Sequence, residues 1–294
     1  MLSIRLLGAP HIAYAAHSVA ISRRKSRALL YYLAAHPTPL TRDHLLTFFW
    51  PDADRQAAQQ NLRTTLYGLR KIFGDLLCVN DDTLSLAVTS EVDTRTFAAH
   101  LALPNTELTE LQTTLDLYQG DFLNGFTLPD LPEFDDWVAV EREHYRRLMV
   151  TGLARLSQRY EAQQAYRHAL TVLDRALAFE PLQEDLQRDS LRLQTLAGDR
   201  AGAIRRYENF RQLLIDEMGM PPMTETQALY DSIITDTFSA TPPAFVPRRP
   251  LMTTTGSLSA VQALPFVGRE IELQALTELV PASVANSARK LESA

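Results

Sequence analysis

The sequence predicts a mainly α-helical protein in two folded parts, a small α+β head followed by an all-helical body, and three observations predict it. In the first ninety residues short alternating apolar runs bracket three helix-length apolar patterns. From Leu153 onward apolar and small residues recur with a period of 34. The chain has 294 residues, 46% hydrophobic and 22% charged, which is globular composition and enough for more than one core.

Composition also excludes several classes. A single cysteine, Cys78, cannot form an intramolecular disulfide or a multi-cysteine zinc site, which fits a reducing cytoplasm. No uncharged apolar run reaches 18 residues, so no membrane-spanning helix is expected. The apolar start lacks a basic leading region and is interrupted by Arg5, His11 and His17, unlike an export signal. The net charge of −6 is unevenly spread: residues 1–90 carry ten Lys/Arg against six Asp/Glu, which is +4 and leaves −10 for the remainder. A basic head on an acidic body fits an anion-binding module joined to a protein-interaction module.

Taken in order, Ser3-Ile4-Arg5-Leu6-Leu7 and Val19-Ala20-Ile21 read as two short strands separated by Pro10 and a small-residue stretch. Ser22 is the expected cap of a first helix that opens on Arg23, Arg24, Lys25 and Arg27 and stops near His36-Pro37. Thr41 caps a second, short helix that ends before Trp50-Pro51. Asp54 caps a third over Arg55–Phe73, with Ala58, Leu62, Leu66, Leu69 and Phe73 facing inward. The opposite face holds Gln56, Gln60, Thr64, Tyr67 and Lys71, with Arg63 and Arg70 at its margin and no acid between Arg55 and Asp75. Solvated faces usually mix signs, so this one fits a surface that meets phosphates and base edges; an ordinary solvated face is the other reading. Leu76–Asn80 and Thr83–Ala87 around Asp81-Asp82 make a hairpin with a two-residue turn.

Sheet, three helices and hairpin make a winged helix-turn-helix. The strings SRRKSRALLYYLAAHP, LLTFFWPD and NLRTTLYGLRKIFGDLL closely resemble those of the antibiotic-regulatory-protein (SARP) class of transcriptional activators, whose heads are OmpR-type winged helices. In the body, LDLYQGDFLNGFTLPDLPEFDDWVAVEREHYRRL is similar to the entry of the bacterial transcriptional activation domain of that class. Leu153, Leu156, Ser157, Tyr160, Ala169, Leu173, Ala176 and Pro181 fit a tetratricopeptide-like hairpin, where small residues let two helices approach. Ala203, Tyr207 and Phe210 repeat it 34 residues on, whereas Gln187, Ser190 and Gln194 match poorly. A final helix is expected over about Thr224–Phe238.

The expected division is a winged-helix DNA-binding domain over 1–90, the all-helical activation domain over 91–239, a Pro/Thr/Ser-rich linker over 240–265, and the truncated start of a nucleotide-binding domain over 266–294. The last rests on Phe266-Val267-Gly268-Arg269-Glu270, which resembles such an opening, although no G-x-x-x-x-G-K-[ST] follows. Val92, Phe97 and the Trp137 region are expected to form an apolar seam between head and body, and the isolated head to keep weak, salt-sensitive DNA binding.

The resemblance implies a cytoplasmic bacterial activator that binds double-stranded promoter DNA, pairs protomers on repeated sites and recruits RNA polymerase. Arg23, Arg24, Lys25 and Arg27 suit the phosphate backbone, Gln60, Arg63, Thr64 and Tyr67 reach base edges, and Arg70 and Lys71 take further phosphates. Trp50 and Asp52 fall in the loop that meets polymerase in OmpR-type activators. One departure is the acidic turn Asp81-Asp82, where such wings often carry a base, so wing contact is expected to be shallow, through Asn80 or Thr83.

No catalytic constellation, metal site or cofactor motif is found. The seven histidines lack i, i+4 pairing, and Glu133, Asp135 and Asp136 read as helix-start partners. Two alternatives stay open: the regulatory front of a larger signalling ATPase, and a tetratricopeptide-like scaffold whose winged helix binds protein.

Overall fold

The computed structural model describes residues 1–238; the expected linker and nucleotide-binding start lie outside the described residues. β1 (Leu2–Arg5) pairs antiparallel with β2 (His11–Tyr14), which pairs with β3 (His17–Ser18). The expected second strand at Val19–Ile21 is therefore displaced. Ala15 and Ala16 both adopt left-handed backbone, φ 49° and 67°, and turn the chain directly after Tyr14, which sets Ile12 opposite Ile4 in the core.

α1 (Arg24–Ala35) starts one residue later than expected, with Arg23 as a cap that makes no side-chain bond. β4 (Leu40–Thr41) leads into α2 (Arg42–Phe49), where Thr41 Oγ1 accepts from the His44 N–H at 3.3 Å. α3 (Arg55–Phe73) is capped by the Asp54 carboxylate, which accepts from the Ala57 N–H at 2.8 Å, and it ends at Gly74, φ 57°. After a single 3-10 turn come β5 (Leu77–Val79) and β6 (Thr83–Leu86), paired Leu77 with Leu86 and Val79 with Leu84 around the Asp81-Asp82 turn. β4 lies on the other side of β6, so the wing is a three-stranded sheet. β7 (Glu91–Val92) then returns to the first sheet, parallel to β1.

The body comprises α4 (Asp93–Ala102), α5 (Leu108–Leu115), the long α6 (Pro132–Ala162), α7 (Tyr166–Phe179), α8 (Glu184–Leu196), α9 (Arg200–Met218) and α10 (Thr224–Ile234). From α6 to α9 each helix packs on the next, and α10 closes against α8 and α9. Small residues permit the approach: Ala169 and Ala176 are fully buried, and the Ser157 hydroxyl donates to the Ala169 carbonyl at 2.9 Å across the α6–α7 contact. Of the polar misfits in the second hairpin, the buried Gln187 amide donates to the Pro181 carbonyl at 2.9 Å, whereas Ser190 Oγ and Gln194 Oε1 are shielded from solvent without a hydrogen-bond partner. An Arg192–Glu161 ion pair ties α8 back to α6.

Head and body share one apolar cluster that runs from Leu2 to Leu193, joined at the expected seam of Val92, Phe97 and Trp137. Polar contacts reinforce it. Asp93 accepts from the Leu6 and Leu7 N–H groups at 2.8 and 3.0 Å. Arg95 donates to the Leu33, Ala34 and His36 carbonyls at 3.1, 2.9 and 2.9 Å, satisfying the carboxyl end of α1. The segment 119–124 hydrogen-bonds along Leu6–Gly8, including the Leu123 N–H to the Leu6 carbonyl at 2.8 Å. Gly8 is needed there, because a Cβ would lie 3.3 Å from that of Gln119, at φ 121°.

Candidate nucleic-acid interface

α3 turns Ala58, Leu62, Thr65, Leu66, Leu69 and Phe73 inward. That fixes its other face outward. Gln56, Gln60, Arg63, Thr64, Tyr67, Arg70 and Lys71 are all exposed, and Tyr67 most visibly, at 74%. An aromatic so exposed on a rigid helix is held out by geometry alone, since its neighbours three and four residues away are polar or basic. The Thr64 hydroxyl donates to the Gln60 carbonyl at 2.9 Å and keeps its lone pairs and methyl outward.

Charge follows the same face. Among the described residues Arg63, Arg70 and Lys71 enter no ion pair. Arg70 and Lys71 sit in the last turn of α3, where the outward carbonyl dipoles favour cations. Arg55 is tied to Asp43 of α2 at 3.0 Å, which braces the start of α3 rather than freeing a cation. Asp81 and Asp82 stand exposed at the wing tip.

The basic start of α1 is divided. Arg23 is exposed. The Lys25 ammonium donates to the Phe49 carbonyl at 3.0 Å and lies 5.6 Å from the Trp50 ring centre, so it braces the end of α2. Arg24 and Arg27 extend over Phe126 of the body, at 5.7 and 5.4 Å. Sequence reasoning missed Phe126, and nothing in the local pattern could have linked it to α1. Trp50 is half-buried against Phe49 and Lys25, whereas Asp52 is exposed.

At the seam the Tyr32 hydroxyl and His44 Nε2 are 2.9 Å apart, and burial pushes the phenol up to about 12, so it stays protonated. His36 donates through Nδ1 to the Tyr32 carbonyl at 2.7 Å, yet burial holds its pKa below the ordinary imidazole value, with His44 and Arg95 acting in the same direction. No described helix is long and apolar enough to cross a membrane, and no group of His, Cys, Asp or Glu among the described residues is arranged to hold a metal ion.

The described residues thus combine a winged helix, whose third helix is outward-facing and acid-free, with a stack of helical hairpins. Residues 90–234 match the family described as "Bacterial transcriptional activator domain", which supports the resemblance to the SARP class of activators, in which this domain follows a winged helix. In fold it is similar to Mycobacterium tuberculosis EmbR, solved in complex with a low-affinity phosphopeptide: 19% identity, TM-score 0.64, covering 80% of this chain and 65% of the EmbR chain. No curated protein matches the chain.

Proposed function

We propose that the protein binds double-stranded promoter DNA by laying α3 in the major groove and activates transcription by bringing RNA polymerase to that site. The observation that carries this reading is the α3 face itself: Gln60, Arg63, Thr64 and Tyr67 project from one rigid side, with unpaired Arg70 and Lys71 at its end and no acid along it. Gln60, Arg63 and Thr64 supply hydrogen-bonding groups for base edges, and Arg70, Lys71 and Arg23 supply charge for phosphates. Asn80 and Thr83 offer shallow wing contact beside Asp81 and Asp82. Asp52, with the exposed rim of Trp50, forms the polymerase-facing loop. On this reading the protein is a cytoplasmic, non-enzymatic regulator that needs no cofactor, with residues 1–90 reading DNA and 91–239 organising activation and the pairing of protomers on repeated half-sites.

The test is fluorescence anisotropy with promoter and random duplexes, comparing wild type with Arg63→Ala and Thr64→Ala. The proposal expects the variants to lose preference for the promoter. Promoter binding unaffected by α3 substitutions would instead favour a scaffold whose head binds protein.

A further inference from the structure

Arg24 and Arg27 lie one turn apart on α1, and both guanidinium groups converge on a single ring that belongs to the body, Phe126. That ring cannot move aside: it is 4% exposed and locked edge-on against Tyr31 at 5.2 Å and Phe134 at 5.9 Å. Two like charges held over one ring repel each other, and a ring face offsets only part of that cost. Among the described residues neither arginine has a carboxylate within ion-pair distance. Arg27 Nε is shielded from solvent and makes no hydrogen bond. Arg24 Nη2 points to the Thr127 hydroxyl at 3.5 Å, so a third polar group borders the same spot. The cluster is a preorganised cationic pair held over one ring.

Its position says which anion. Lys25, between the two arginines in sequence, is bonded to the Phe49 carbonyl and lies over Trp50, which places this end of α1 beside the segment leading to Asp54 and the start of α3. We infer that Arg24 and Arg27, set on the Phe126 platform beside Thr127, clamp one backbone phosphate of the DNA duplex whose groove α3 enters, so that the activation domain completes the DNA interface. The inference rests on the DNA-binding reading above. Phe126 and Thr127 are positioning residues: the ring fixes where the two charges stand, and the phosphate contact itself is made by the arginines. A phosphate contact carries no base information, so its loss weakens all sequences alike.

The experiment is the salt dependence of duplex binding by the full chain, measured by fluorescence anisotropy on promoter and random duplexes, for wild type, Arg24→Gln, Phe126→Leu and Phe126→Tyr, with a thermal melt of each. Arg24→Gln and Phe126→Leu are expected to lower the slope of log K against log salt by about one and to weaken both duplexes roughly threefold; Phe126→Tyr keeps the wild-type slope. Arg24 is exposed, so Arg24→Gln decides even where Phe126→Leu lowers the melting temperature. A wild-type slope in Arg24→Gln, or in a Phe126→Leu protein that melts like wild type, overturns the inference while the DNA-binding reading stands. A wild-type chain that binds no duplex overturns both.

Discussion

Trp137 of the body sets its ring 4.7 Å from that of Tyr32 in the head, edge to face, and His36 at the carboxyl cap of α1 stacks on the same indole at 5.9 Å. One aromatic residue of α6 therefore holds the end of α1. Trp137→Ala removes it and leaves a void at the seam, at an expected cost of roughly 2–4 kcal/mol. Unfolding followed by circular dichroism is expected to remain a single transition at lower temperature, because one core spans both parts. A separate, undisturbed head transition would contradict that.

The same seam bears on the expectation that an isolated head keeps weak DNA binding. A fragment of residues 1–90 lacks β7, the Asp93 carboxylate that holds the Leu6 and Leu7 N–H groups, and the Arg95 guanidinium on the carboxyl end of α1. It is expected to be largely unfolded and to bind no duplex, whereas 1–238 is expected to fold; a folded head that binds duplex would contradict this. In the whole chain, Asp93→Ala leaves three N–H groups without their acceptor and is expected to cost about 2–3 kcal/mol. Denaturant melts of Asp93→Ala and Asp93→Asn measure it.

Stability should fall on mild acidification. Burial lowers the folded pKa of His36 and of His144, so the fold favours their neutral forms. Their full contribution is present above the unfolded value of about 6.5; it is lost as pH falls from there, since the unfolded chain takes up protons first, and the loss stops once pH is below the folded values. Glu141, raised by burial, has the opposite sign and gains as it protonates at lower pH. Melting temperatures between about pH 8 and 5 are expected to drop below pH 6.5, and less so in His36→Gln. A profile identical in wild type and His36→Gln would remove His36 from the account.

Arg70→Ala with Lys71→Ala is expected to weaken binding to every duplex and lower the salt slope by about two, while Arg63→Ala costs about 1–3 kcal/mol of discrimination between promoter and random DNA. Anisotropy titrations separate the two effects. Equal loss of specificity in both variants would show that α3 does not divide these tasks.

What the sequence alone determined is whatever depends on neighbours along one helix or turn. The inward stripe from Ala58 to Phe73, the acid-free outer face, the caps Thr41 and Asp54 and the small residues Ser157 and Ala169 were all legible, because a 3.6-residue period and a side chain reaching its own helix end are local properties. Tertiary structure decided the rest. Whether a lysine or arginine meets solvent or another chain segment depends on what lies opposite it in space, and for Lys25, Arg24 and Arg27 that is Phe49 and Phe126, distant in sequence. The strand at His11–Tyr14 likewise formed where two left-handed alanines allowed the turn and where β1 offered free N–H and C=O groups, neither of which a short, weakly alternating run can announce. Charge and period can be counted along a chain, but burial and hydrogen-bond pairing are properties of the packed whole.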